Sequence, residues 1–105
     1  MNELAQQIIA NYEKHGWQLR RVLISGDLKE GEATEAFPDA QIVKSDIDAL
    51  WFARPSQGGR EAWELRLIAE QPYALFEAFE ADEAEEDRED ARQEMENKMR
   101  EYARR

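Results

Sequence analysis

The chain has 105 residues, a length that supports one domain with a single modest core. Its 42% hydrophobic and 10% aromatic content argues against global disorder, and the absence of cysteine excludes disulfides, thiolate chemistry and cysteine-rich zinc sites. The formal net charge of -10 argues against nucleic acid and anionic membranes as partners, because Lys and Arg contacts to phosphate dominate such binding, and it leaves basic proteins and cations.

In chain order, Leu4, Ile8, Tyr12 and His15 fall on one face at helical spacing, which predicts a helix over 2–15. Asn2 suits its N-cap, and Gly16 sits where a left-handed residue would end it. The stretch "WQLRRVLIS" predicts a strand, with Trp17, Leu19 and Leu23 on one side and Val22 and Ile24 on the other. Residues 27–40 hold no sustained period and predict a mobile loop that can include one short helical turn, pinned to the core by Phe37.

In "ALWFARPSQGGREAWELRLIAE" two alternating runs flank Gly58-Gly59, which predicts a hairpin. A loop of even length would set Leu50, Phe52 and Arg54 on the face of Trp63, Leu65 and Leu67. A loop of three residues would oppose them to Glu64 and Arg66 instead. Since a one-residue slip moves every side chain to the other face, the even loop is the expected one, with the Arg54 stem against Trp63. "YALFEAF" then predicts a further strand. Short connections favour an antiparallel sheet, since no crossover helix is evident.

The segment from Glu80 to Arg105 carries eleven acidic and six basic residues. Its order predicts a helix over 82–105. Asp82 and Glu85 have capping-box spacing, acids lead, and Lys98, Arg100, Arg104 and Arg105 gather at the end, as the helix dipole prefers. Ala84, Ala91, Met95, Met99 and Tyr102 form a narrow apolar stripe. Docking of this stripe on the domain's own sheet is the expected use, with a homodimer seam and a free helix as the alternatives. The fold class is therefore α+β: an N-terminal helix, an antiparallel sheet of four to five strands built as a meander around the Gly-Gly hairpin, and a charged C-terminal helix packing on the sheet, all in one domain over 1–105.

Candidate chemistry is sparse. Asp46 and Asp48, two apart in "SDID", could offer oxygen ligands to a divalent metal from one side of an extended segment, although a solvated turn feeding the strand at Ala49, capped by either aspartate, is the favoured reading. His15 is the sole histidine, which excludes a multi-histidine metal site, and no serine stands in a nucleophile elbow. No sequence motif calls for a cofactor.

The expected function is a small acidic protein–protein interaction domain without catalysis of its own. Glu85, Glu86, Asp87 and Glu89 offer a charged surface, and Trp51, Met95, Met99 and Tyr102 are contact candidates if nothing in the chain covers them. Two alternatives are an acidic antitoxin or inhibitor that masks a basic nucleic-acid-binding protein or nuclease, and a divalent-metal-dependent hydrolase built on Asp46 and Asp48. The chain shows no signal-peptide pattern and no long apolar run, which points to the cytoplasm.

Overall fold

A computed structural model describes residues 2–26 and 30–104 of the chain. Helix α1 (Asn2–Lys14) turns Ala5, Ile8 and Ile9 inward, with Leu4 and Tyr12 beside them. It stops at Gly16, whose φ of 87° is the left-handed conformation expected there, and the Trp17 N–H closes the end by donating to the Tyr12 carbonyl at 3.1 Å.

Strand β1 (Gln18–Ile24) breaks its own alternation. Leu19 lies opposite Phe52, but Arg21 lies opposite Trp51, so Arg20 is an extra residue bulged out of the ladder. The bulge places Leu19 with Val22 and Ile24 in one hydrophobic cluster and sends Leu23 alone to the other. The expected grouping of Leu19 with Leu23 fails for this reason. Arg20 and Arg21 both end up beside Trp63.

Helix α2 (Glu30–Ala36) forms within the expected loop and is longer than the single short helical turn foreseen there, 37–40 being turn, and residues 27–29 lie outside the described residues. Ala33 and Phe37 are buried against the sheet, as expected for Phe37. With α2 as the crossover, strand β2 (Gln41–Lys44) pairs parallel to β1. The sheet is thus antiparallel except at this edge.

Strands β3 (Ala49–Pro55), β4 (Glu61–Leu67) and β5 (Ala74–Phe79) complete an order β2-β1-β3-β4-β5. The β3–β4 hairpin corrects the sequence expectation. Ser56 N–H donates to the Arg60 carbonyl at 2.8 Å, which leaves the three-residue loop Gln57–Gly59. Gly58 and Gly59 take φ of 68° and 77° there, the conformation that requires glycine. Phe52 therefore faces Glu64, Leu50 faces Arg66, and Trp51 faces Leu65. An even loop would hold only for a sheet buried on one face. Here both faces are covered, so β3 is apolar and buried from Ala49 to Ala53 and its alternation carries no register information.

Helix α3 (Glu85–Ala103) covers the second face, and Arg105 of the expected helix lies outside the described residues. The helices are thus split across the sheet, with α1 and α2 on one side and α3 on the other. The first cluster holds Ile8, Trp17, Val22, Phe37, Leu50 and Phe52, and the second holds Leu23, Trp51, Trp63, Leu65, Phe79, Met95 and Met99. Burying each such aliphatic or Phe side chain is worth about 1.5–3 kcal/mol. The two clusters rather than any single one hold the layers together.

Candidate interaction surface

The inner face of α3 follows the positions 92, 95, 96 and 99, and two of the four are charged. Met95 and Met99 pack under the helix on the sheet, which is the docking within the chain that the stripe predicted. Trp51, fully buried, donates its indole N–H to the Glu96 carboxylate at 2.8 Å. Glu96 is only 4% exposed and also meets Arg100 at 3.5 Å. Tyr102 stacks on Tyr73 with ring centroids 3.6 Å apart. Of the residues expected as contacts, Trp51, Met95 and Met99 are therefore covered by the chain itself, and Tyr102 is half-buried.

Arg92, 2% exposed, lies 4.4 Å from the centre of the Trp63 ring and 5.7 Å from that of Phe79. Its guanidinium pairs with Glu85, and its Nε faces Glu89 at 3.3 Å without hydrogen-bond geometry. Glu89 in turn takes Arg21 at 2.9 Å. Trp63 thus lies beside three guanidiniums, those of Arg20, Arg21 and Arg92, and donates its own N–H to Glu61 at 2.7 Å. Arg88 pairs with Glu61 at 3.5 Å and ties the turn before α3 by donating to the carbonyls of Glu80, Ala81 and Glu83. That clamp stands in for the expected capping box: the helix starts at Glu85, its N-cap is Ala84, and no side chain caps it.

Burial opposes ionisation of Glu89, but hydrogen bonds from Arg21 and Gln93 and the charges of Arg21 and Arg92 outweigh it and hold the carboxyl below the usual glutamate range. A depressed folded-state pKa means that Glu89 stabilises the fold above its unfolded pKa of about 4.3, and that this contribution is lost as pH falls through the lower folded value. Glu89→Gln should therefore lower stability at pH 7 and flatten its decline below about pH 4.5. Urea titrations at pH 7 and at about pH 3.5 check this; an equal loss at both would refute it.

The predicted acidic pair does not converge. Asp48 accepts the Ser25 N–H and hydroxyl, each at 2.8 Å, whereas Asp46 turns to α3 and pairs with Arg100 at 2.6 Å and Arg104 at 3.5 Å. The Arg100 hydrogen bond is the main reason that the Asp46 carboxyl titrates below its ordinary range. The two line a cleft of about 480 Å³ with Ile47, Leu67, Gln71 and Tyr102. No group of three or more His, Cys, Asp or Glu side chains is placed to share a metal ion among the described residues.

On the opposite face, Tyr12 stacks on Phe52 at 4.1 Å and gives its hydroxyl proton to a hydrogen bond with Glu64. Burial, then the Glu64 hydrogen bond, pushes the phenol up from its ordinary value. Trp17 forms T-shaped pairs with Tyr12 and with Phe76, ring centroids 6.1 Å and 6.5 Å apart. Arg54 lies 4.3 Å over Trp17 and donates to the His15 carbonyl at 2.8 Å, so its ring is Trp17 rather than the expected Trp63. His15 is exposed, with Nδ1 2.8 Å from the Asn11 carbonyl oxygen.

What remains at the surface is a partition of charge. The carboxylates of α3 that point inward or sideways, Glu85, Glu89 and Glu96, each meet an arginine. Glu86, Asp87, Asp90 and Glu94 are exposed and have no cation at ion-pair distance among the described residues. Comparison of the chain with protein-family models, with curated proteins and with solved structures finds no match.

The inner charged network escapes a sequence reading that equates polarity with exposure. Its signal is nonetheless present: Arg92 and Glu96 are in phase with Met95 and Met99. Two charged residues at core phase, with tryptophans on the strands opposite, mark a buried ion-aromatic layer.

Proposed function

We propose that the protein is a non-catalytic association module that presents the acidic outer face of α3 to a basic protein. The observation that carries this is the partition of charge on that helix. Arg88, Arg92 and Arg100 are spent on the chain's own carboxylates, so the outer row Glu86, Asp87, Asp90 and Glu94 has no ion-pair partner among the described residues, with exposed Lys98 one turn beyond Glu94. Such a surface steers association with a cationic patch, speeds encounter and repels anionic competitors. A nuclease or nucleic-acid-binding protein masked through its basic surface would be a partner of this kind. No observation favours the metal-dependent hydrolase, since Asp46 and Asp48 are each engaged by groups of the chain itself.

Reversing the four outer charges (E86K, D87K, D90K and E94K together) removes no ion pair among the described residues, so the fold is expected to hold at a cost of about 0.3–1 kcal/mol for each of Glu86 and Asp87, which lie in the first turn of α3 where the helix dipole favours acids. It should release partners that the unmodified protein retains at low salt and loses at high salt, with affinity falling about tenfold or more. Affinity purification at two ionic strengths, with quantitation of the bound proteins, reads this out. Retention of the same salt-sensitive partners by the reversed protein would defeat the proposal.

A further inference from the structure

Strand β5 closes the strand order at one side of the sheet, with no strand beyond it among the described residues. The phase of the ladder tells which of its backbone groups are unused. The Leu67 N–H donates to the Tyr73 carbonyl at 3.0 Å, and the register continues from Arg66 opposite Ala74 to Glu61 opposite Phe79. In an antiparallel pair hydrogen-bonded positions alternate, so Leu75, Glu77 and Phe79 turn their backbone groups to β4. The N–H and C=O of Ala74, Phe76 and Ala78 therefore point to the open edge.

The side chains of those same residues are exposed on the α1 face, and Phe76 is the exposed large hydrophobic residue of the described chain, at 59%. Its ring extends the row Phe52, Tyr12, Trp17 to the rim of the sheet. Edges of this kind are ordinarily blunted by proline, bulges or several charges. Over Ala74–Phe79 there is no proline, the register runs without a bulge, and the only charge is Glu77, which is exposed on the face of α3.

We infer that the open edge of β5 accepts an extended segment of a partner protein as an added strand. Apolar side chains of that segment lie along Phe76, and Lys or Arg lies on the Glu77 side. The charge decides between this occupant and a second copy of the chain. Glu77 is unpaired among the described residues, and the whole chain carries -10, so a second copy adds like charge across the new ladder where a basic segment neutralises it. This surface shares no residue with the outer face of α3, and either can fail without the other.

The test uses the full chain and a short synthetic peptide alternating Val and Lys, titrated at low salt with fluorescence anisotropy. Binding is expected, and it should weaken about tenfold or more when alternate peptide nitrogens are methylated or when Lys is replaced by Glu. Ala78→Pro removes an outward N–H without touching a bond to β4, and should abolish binding while the melting temperature holds. Phe76→Ala takes away the apolar contact without adding charge opposite Glu64, should weaken binding about tenfold, and carries the test if the proline variant does not fold. The E86K, D87K, D90K and E94K protein should still prefer the unmethylated peptide. Absence of binding, or binding indifferent to methylation and to both variants, overturns the inference. So does a dimer of the chain that either variant converts to monomer, because the occupant is then a second copy.

Discussion

Arg92→Ala is expected to destabilise the protein by about 2–4 kcal/mol, whereas Arg92→Met should stay within about 1 kcal/mol of the parent. The side chain fills the space between Trp63 and Phe79 and is 2% exposed, so truncation to alanine opens a cavity beneath α3. Its charge contributes less than its volume. The Glu85 partner is 71% exposed and loses little when left alone, Glu89 keeps Arg21, and the Arg92 Nε already lacks a hydrogen bond. Methionine restores the volume with a flexible apolar chain and removes the cost of desolvating a guanidinium. Urea denaturation at constant slope measures both variants. A methionine protein as weak as the alanine one would mean that the ion pairs, rather than the packing, hold this part of the helix.

The second large effect is at Trp51 and Glu96. Trp51→Phe keeps most of the aromatic bulk but deletes the N–H that Glu96 accepts at 2.8 Å. The carboxylate is then left in the layer between α3 and the sheet with Arg100 at 3.5 Å as its remaining partner, and a loss of about 3 kcal/mol is expected. Glu96→Gln retains an acceptor and should cost about 1 kcal/mol. The double variant Trp51→Phe with Glu96→Leu removes donor and acceptor together and should recover part of the loss, with a coupling of about 1.5 kcal/mol or more. Strict additivity in that cycle would show that the hydrogen bond has no energetic role.

Particular residues explain how much of this structure is legible in the sequence. The end of α1 at Gly16 is legible because a positive φ demands a special residue. So are the Gly-Gly turn, the anchoring of Phe37 and the packing of Met95 and Met99 on the sheet. The hairpin register is not, because it rests on the alternation of a strand that is apolar on both faces. The Arg20 bulge leaves no mark in "LRRVL", where either arginine could be the extra residue. Helix α2 is too short for periodicity to show, and without it the parallel pairing of β1 and β2 has no sequence signal. For the candidate surface, the acidic half of α3 is plainly charged in the sequence. Its division into paired and unpaired carboxylates depends on arginines brought from β1 and from within the helix itself.

The loop lengths between the strands predict an order of assembly. Hairpin β3–β4 closes over the three residues Gln57–Gly59, while β1 must be joined to β2 across the whole crossover that contains α2. The entropy lost on closing a loop grows with its length, so the meander of β3, β4 and β5 costs least to form and can template the two remaining strands. Strand β1 then inserts between β3 and β2, and it brings Arg20 and Arg21 into place beside Trp63. Arg21 is the partner that Glu89 needs, so β1, far from α3 in the chain, completes the seat on which that helix comes to rest.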